Sequence, residues 1–124
     1  MNIRKIVDFF ETMNIKVDQL SPTLYSFQKE KYFIHLDFQK NRVIFNLRNK
    51  SGKSLVNLTK VLSRLESIKK YGWKIDSDNE LVNSSEKEEN VIGFSEVVLR
   101  VLGDGKSDAN TVAKNIENEY SIKE

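Results

Sequence analysis

The chain contains no cysteine, and this absence excludes a disulfide framework and a thiolate metal site. Histidine occurs once, as His35, so a histidine-rich metal site is not expected. No apolar run approaches the roughly 20 residues of a membrane-spanning helix. The N-terminus leads into an amphipathic stretch and lacks the apolar core of a signal peptide. The expectation is a cytoplasmic protein without membrane contact.

Length and composition indicate one folded domain over residues 1–124. A chain of 124 residues is of ordinary domain size, and 39% of it is hydrophobic. Seven phenylalanines, four tyrosines and one tryptophan can supply a core. The chain is therefore expected to fold without covalent or metal staples.

Charge is sorted along the chain although the total is only +2. Residues 29–74 carry twelve basic side chains against three acidic ones, a net charge of +9. Residues 75–124 carry five basic side chains against twelve acidic ones, a net charge of −7. Such asymmetry indicates either a charged partner or pairing between the two segments.

The first half reads as a helix followed by strands. Apolar residues at helical spacing predict a helix over about 3–13. Residues 15–17 read as a short extended lead-in. Alternating apolar and polar residues then predict strands at 24–28, 32–38 and 42–47, separated by short polar turns. These three strands are expected to form an antiparallel meander.

The second half is predicted to be mostly helical. An apolar stripe from Leu55 to Ile68 predicts a second helix that opens at Ser54 and ends at Tyr71-Gly72. Residues 73–75 and 81–82 flank an acidic turn and suggest a further hairpin. Residues 83–90 are polar without an apolar period and are interpreted as a flexible loop.

Two more segments complete the chain. Residues 91–102 match the helical template, yet several are β-branched, so helix is favoured and strand stays open. A last helix over about 108–120 is capped by Ser107 or Asp108, and its stripe ends at Tyr120. The element order predicts an α+β domain with N-terminal, central and C-terminal helices packed on the antiparallel sheet.

The motifs that would indicate catalysis are incomplete. Residues 51–54 and 104–107 end like a phosphate-binding loop, but Leu47 and Arg100 stand where its second glycine is required. His35 and Asp37 are neighbours on one strand face, an arrangement that is common without function. We therefore expect no catalytic residue, no small-molecule substrate and no enzyme activity.

The acidic turn at 76–80 is a weak candidate for a metal site. Asp76, Asp78 and Glu80 alternate like cation ligands, but Leu81 replaces the glycine of the calcium loop and Lys87 its final glutamate. The expected reading is a solvated turn, with no metal and no cofactor.

The basic block suggests a binding function. The meander and second helix place basic side chains on solvent-facing positions, with Phe33, Ile44 and Tyr25 among them. Such a surface can hold phosphates and stack bases. The leading hypothesis is a small non-enzymatic protein that contacts nucleic acid or an acidic protein surface. Its candidate partner-binding residues are Lys40, Arg42, Arg48, Lys50, Lys53, Lys60 and Arg64.

Two other interpretations remain open. The +9 block can be solvated, or paired with the acidic segment within one chain or between two copies. Alternatively, the protein is an adaptor, inhibitor or chaperone that acts through the 91–102 segment and the last helix, with a homodimer as one form. The last helix carries mostly acidic side chains, which argues against DNA reading by a helix-turn-helix.

Overall fold

The computed structural model describes residues 1–119 and contains one antiparallel sheet with helices against one face. The strands are β1 (Lys16–Gln19), β2 (Leu24–Lys29), β3 (Tyr32–Gln39), β4 (Arg42–Arg48), β5 (Lys74–Ile75) and β6 (Leu81–Asn83). The helices are α1 (Ile3–Thr12), α2 (Val56–Ser63), α3 (Glu66–Lys69), α4 (Glu88–Leu102) and α5 (Ala109–Glu119).

The sheet has six strands in the order β1-β2-β3-β4-β6-β5, and each neighbouring pair is antiparallel. Its first four strands follow one another along the chain as a meander, and the β5–β6 hairpin adds to the free edge of β4. The α+β fold class expected from the sequence is thus confirmed, including the extra hairpin.

Strict alternation in β3 fixes the two faces of the sheet. Tyr32, Ile34, Leu36 and Phe38 are buried, and the residues between them are only half-buried. The buried set joins Val43, Phe45 and Leu47 of β4 in one core with the helices. We call this the helix-covered face, and the opposite side the open face. Because side chains alternate along a strand, the register of each strand decides which of its residues lie on the helix-covered face and which on the open face.

The predicted lead-in at 15–17 becomes a full strand. Residues of β1 pair with β2 from Lys16↔Gln28 to Gln19↔Tyr25, so the meander has four strands and not the three that were predicted. Four alternating residues give little periodic signal by themselves. The strand forms because the edge of β2 offers hydrogen-bonding groups to pair with, and a sequence pattern does not show which strand edges are free.

The predicted second helix is divided. Leu65 adopts an extended conformation (φ −71°, ψ 131°) between α2 and α3. The apolar stripe nevertheless stays buried on both sides of the break, at Leu62, Leu65 and Ile68. The periodic pattern shows only that these residues are buried. Two short helices bury them as well as one long helix would.

The predicted flexible loop at 83–90 is shorter in the structure, where only residues 84–87 connect β6 to α4. Asn83 is buried in β6 and donates to the Tyr71 carbonyl at 2.6 Å. The Ser85 hydroxyl accepts from the Lys87 backbone N–H and from the Asn90 amide, which organises the start of α4. These local bonds use the polar residues that suggested a loop.

The ambiguous segment 91–102 lies within α4 and is the central helix of the core. Its β-branched residues are tolerated because Val91, Val97 and Val98 are buried in the core. The aspartate of the last predicted helix is confirmed as a cap, since the Thr111 backbone N–H donates to Asp108 Oδ1 at 2.8 Å. The predicted end of that helix at Tyr120 lies outside the described residues.

An aromatic stack joins α4 to the sheet. The Trp73 and Phe94 rings are stacked with centroids 4.0 Å apart, and Phe94 meets Phe45 edge to face at 4.9 Å. The Trp73 indole N–H donates to the Asn90 carbonyl at 3.0 Å. None of the helices within residues 1–119 is long and apolar enough to span a membrane.

Gly105 docks the α4–α5 loop against the β2–β3 turn, and its substitution by alanine is expected to destabilise the fold. A Cβ there would lie 2.9 Å from the Lys29 carbonyl oxygen, and Gly105 has φ +76°. Gly52 is a matched control, with φ +82° and no heavy atom near its Cβ position. We expect Gly52→Ala to cost about 1–2 kcal/mol from backbone strain.

We expect Gly105→Ala to cost at least about 1 kcal/mol more in the free energy of unfolding, because overpacking adds to the strain. Urea titration of the two variants measures the difference. Equal losses would show that the loop does not press on the β2–β3 turn as described.

Candidate binding surface

The seven predicted partner-binding residues lie in three separate places. Lys40 and Arg42 lie at the β3–β4 turn, and Arg48, Lys50 and Lys53 lie at the opposite end of β4. These two groups are about 20 Å apart, since β4 spans seven residues. Lys60 and Arg64 belong to α2 and its C-terminal end, in the helix layer. The structure therefore does not bring all seven into one patch.

The end of the sheet that carries Arg48 collects further lysines. It is where β1 begins, β2 ends, β3 begins and β4 ends, because Lys16 pairs opposite Gln28 and Phe33 opposite Arg48. A groove of about 350 Å³ is lined in part by Lys16, Lys29 and Lys50. We name this surface the basic end; its members are Lys16, Lys29, Lys31, Arg48, Lys50 and Lys53.

The loop between β4 and α2 holds two of these lysines in place. Asn49 Oδ1 accepts from the backbone N–H groups of Ser51 and Lys53, at 3.1 and 3.0 Å. Arg48 Nη1 donates to the Gly52 carbonyl at 2.7 Å. Lys50 and Lys53 are exposed on this bonded loop. Their backbone is thus arranged before any partner arrives, which lowers the ordering cost of binding.

Acidic side chains border the basic end without cancelling it. Glu30 lies in the β2–β3 turn, Asp104 lines the same groove as Lys50, and Asp108 lines a groove with Lys53. Hydrogen bonds from Thr111 hold the pKa of Asp108 below its ordinary value, and the charge of Lys31 adds to this. Glu80, between β5 and β6, acts on Arg48 through its charge. Six basic residues against these four acidic ones leave the basic end positive.

The open face carries a polar row beside the basic end. Ser26, His35 and Asn46 lie side by side across β2, β3 and β4. Burial lowers the pKa of His35, and the charge of Arg48 lowers it further, so His35 is neutral at physiological pH. Phe33, half-buried on this face, lies directly opposite Arg48. One aromatic ring is thus placed next to the basic residues.

His35 and Asp37 do not form an acid–base pair. Asp37 Oδ2 accepts from the Gln39 side-chain amide at 3.1 Å, and Asp37 Oδ1 has no hydrogen-bond partner within residues 1–119. A neutral histidine without an orienting carboxylate has no partner for proton relay. This geometry does not supply a general acid–base dyad.

The two other groups of predicted residues lie in mixed surroundings. Arg42 Nε donates to the Gln39 side-chain oxygen at 2.9 Å, and the groove that it shares with Lys40 is also lined by Glu86. Lys60 and Arg64 line a groove between α2 and α5 with Lys114 and Glu117. Neither place concentrates positive charge as the basic end does.

The sequence reasoning missed Lys16 as a member of the basic end. It lies in the charge-balanced N-terminal segment, far in sequence from Arg48 and Lys50. Only the pairing of β1 with β2 brings it to the same end. If residues 15–17 had been predicted as a strand paired with β2, Lys16 could have been placed at the basic end from the sequence.

The acidic turn, residues 76–80 between β5 and β6, lies near Arg48 at the edge of the open face. Asp76 Oδ1 accepts from the backbone N–H groups of Asp78 and Glu80, at 3.0 and 2.9 Å. Glu80 in turn accepts from the Asn46 amide at 3.2 Å. Burial raises the pKa of Glu80, and the charges of Asp76 and Asp78 raise it further. Arg48 and the bond from Asn46 act in the opposite direction.

Comparison with protein-family models, curated proteins and solved structures finds no match to this chain. The geometry of the described residues is therefore the basis for any functional conclusion.

The raised pKa of Glu80 predicts how Glu80→Gln changes the pH dependence of stability. Between the ordinary glutamate pKa and the raised value, the folded state binds more protons than the unfolded state, so wild-type stability falls as pH rises. Glutamine still offers an oxygen to Asn46 but cannot titrate. We expect the variant to be at least as stable as wild type at pH 7 and to lose this part of the slope.

Urea denaturation of both proteins from pH 4 to pH 8 measures the difference, and the contribution of His35 cancels because both proteins contain it. A variant that is clearly less stable than wild type at pH 7, with an unchanged slope, would contradict the assigned environment of Glu80.

Proposed function

We propose that this is a small non-enzymatic protein that binds single-stranded nucleic acid at the basic end and the adjoining open face. The observation that carries this proposal is the convergence of Lys16, Lys29, Lys31, Arg48, Lys50 and Lys53 from five separate segments at one end of the sheet. A cytoplasmic location, as the sequence analysis expects, is part of the proposal.

Electrostatics supports the choice of a polyanion. Binding of a phosphate chain releases condensed counterions, and each lysine or arginine that contacts a phosphate adds to this gain. The basic end offers six such groups, at three strand ends, in the β2–β3 turn and on the bonded loop after β4. A linear partner could contact several of them at once.

The open face supports a single strand over a duplex. Phe33 lies opposite Arg48 and is only half-buried, so its ring is the candidate surface on which one base can stack. His35, which is half-buried, continues the row from there and carries ring nitrogens that base edges can bond. A duplex, whose bases are already stacked and paired, could use the lysines but not this row.

The alternative function through the C-terminal helices has less in its favour. The apolar residues of α4 that would form the docking surface, Phe94, Val98 and Leu102 among them, are buried in the core. In α5, Val112 and Ile116 are buried as well. The expected apolar surface is thus used for folding, and no described feature of α4 or α5 favours a homodimer.

Removing two charges from the basic end is expected to weaken binding of an oligonucleotide. For the double variant Lys50→Gln/Lys53→Gln we expect roughly tenfold weaker binding of a single-stranded oligomer at low salt, with a log–log salt slope smaller by about 1.4. Fluorescence anisotropy at several salt concentrations measures both quantities.

The matched control is Lys60→Gln/Lys114→Gln, which removes the same charge from exposed positions in the helix layer. We expect its affinity and salt slope to stay close to those of wild type. Equal losses in both double variants would show non-specific attraction to net charge. Absence of binding by wild type at low salt would overturn the nucleic-acid proposal.

A further inference from the structure

We propose that the outer edge of β1 pairs with the same edge of a second copy of this chain, so that two six-stranded sheets join into one. The two β1 strands run antiparallel about a twofold axis at Val17, which keeps both open faces on the same side of the joined sheet. This interface goes beyond the proposed nucleic-acid function and does not depend on it.

The outer edge of β1 has backbone groups available for pairing. β1 is an edge strand of the sheet, and no described strand pairs with its outer side. The Leu20 backbone N–H donates to the Leu24 carbonyl at 2.8 Å, so these two residues are a hydrogen-bonded pair that continues the β1–β2 ladder. Hydrogen-bonded pairs alternate along an antiparallel ladder, so the backbone groups of Asp18 point toward β2 and those of Val17 and Gln19 point away from it. These outward N–H and C=O groups can bond a further strand.

The charges of β1 favour one register for this pairing. Lys16 and Asp18 are exposed and lie on the open face, where they pair with Gln28 and Ser26 of β2. About an axis at Val17, Lys16 of each copy lies opposite the partner's Asp18, in the non-hydrogen-bonded pairs whose side chains are closest. Two ion pairs across the interface thus form by symmetry. An axis at Lys16 or at Asp18 would instead place two like charges opposite each other.

This charge pattern explains why the occupant is a second copy. A lysine on an edge strand ordinarily opposes pairing with another chain, because its charge would be left without water or a partner. Asp18, two positions along on the same face, removes this penalty for a strand that presents the opposite charges at the same spacing, and the same edge of a second copy is such a strand. Val17, half-buried on the helix-covered face opposite Phe27, gains further burial against the partner's Val17.

Exposed apolar side chains near both ends of β1 are a second, independent observation. Leu20, which directly follows the strand, is 55% exposed, and Met13, shortly before the strand, is 49% exposed. They are the two most exposed large apolar side chains of the described residues. In an antiparallel pair, the end of β1 that carries Leu20 lies beside the end of the partner strand that Met13 precedes. Pairing therefore brings Leu20 toward the partner's Met13 and removes apolar surface from water at both ends of the interface.

The first test is self-association of the full chain in low-salt buffer, measured by sedimentation equilibrium and by backbone amide NMR. We expect a weak dimer with a dissociation constant of about 10⁻⁵–10⁻³ M, because two four-residue strands bury less than the roughly 1,200 Å² of stable interfaces. The amide signals of 15–20 should shift as the protein is concentrated, and those of β5, the other edge strand, should not. A chain that stays monomeric at about 1 mM overturns the proposal, since a dimer in the expected range would be populated there. Dimerisation that leaves the signals of 15–20 in place overturns it as well.

Exchange of the two charges tests the register. In a pair of identical chains, Asp18→Lys places lysines opposite lysines, and Lys16→Asp places aspartates opposite aspartates. We expect each variant alone to associate at least about tenfold more weakly than wild type, because both ion pairs become repulsive. An equimolar mixture restores two ion pairs between unlike chains, so we expect a heterodimer with an affinity close to that of the wild-type dimer. Recovery on mixing also shows that both variants are folded.

The matched control is the pair Lys114→Asp and Glu117→Lys, which makes the same charge changes at exposed positions of α5. Each control variant should dimerise like wild type, and mixing the two should change nothing. The proposal is overturned if mixing the two β1 variants restores no association. It is equally overturned if the control pair behaves like the β1 pair, because attraction between net charges would then explain the result. Since nucleic acid is absent from these experiments, their outcome is independent of the function proposed above.

Discussion

The contact of Phe94 with Trp73 and Phe45 is the interaction on which the rest of the fold depends. Phe94 lies on α4, stacks on Trp73 just before β5, and meets Phe45 of β4 edge to face. All three rings are at most 1% exposed. One contact thus holds the central helix, the late hairpin and the middle of the sheet together. Aromatic rings of this size contribute more to burial than any other side chains, and the geometry adds to their area.

This packing uses one face of the sheet completely and leaves the other without helices. Every helix contributes apolar residues to the core on the helix-covered face. The open face must therefore be polar enough for water, yet Ser26 and Asn46 on it are 6% and 8% exposed. Asp37 Oδ1, Asn46 Oδ1 and Arg48 Nε lack partners within residues 1–119, and all three belong to this face. The unsatisfied buried polar atoms of the sheet are thus concentrated on the face that no helix covers.

The sequence predicted the fold well where burial and period coincide. Tyr32, Ile34, Leu36 and Phe38 alternate strictly, and the strand that they indicate is present. Leu62 and Ile68 share one helical stripe, but the periodic pattern does not show that Leu65 between them is extended and divides the helix. The site was predicted less well, because it depends on which strand ends meet. Arg48 and Lys50 were named from the sequence, but Lys16 gains its role only through the pairing of β1 with β2.

Strand β4 brings the positively charged and the negatively charged segments of the sequence close together. Arg48 ends that strand at the basic end, and Asn46, two residues earlier on the same face, contacts Glu80 of the acidic turn. The positive and negative segments therefore meet across a few ångströms, where the carboxylates reduce the potential that Arg48 presents to a phosphate. Burial and the charges of Asp76 and Asp78 favour the neutral form of Glu80, and a neutral Glu80 opposes Arg48 less, so the environment of the turn itself limits how far Glu80 weakens the basic end.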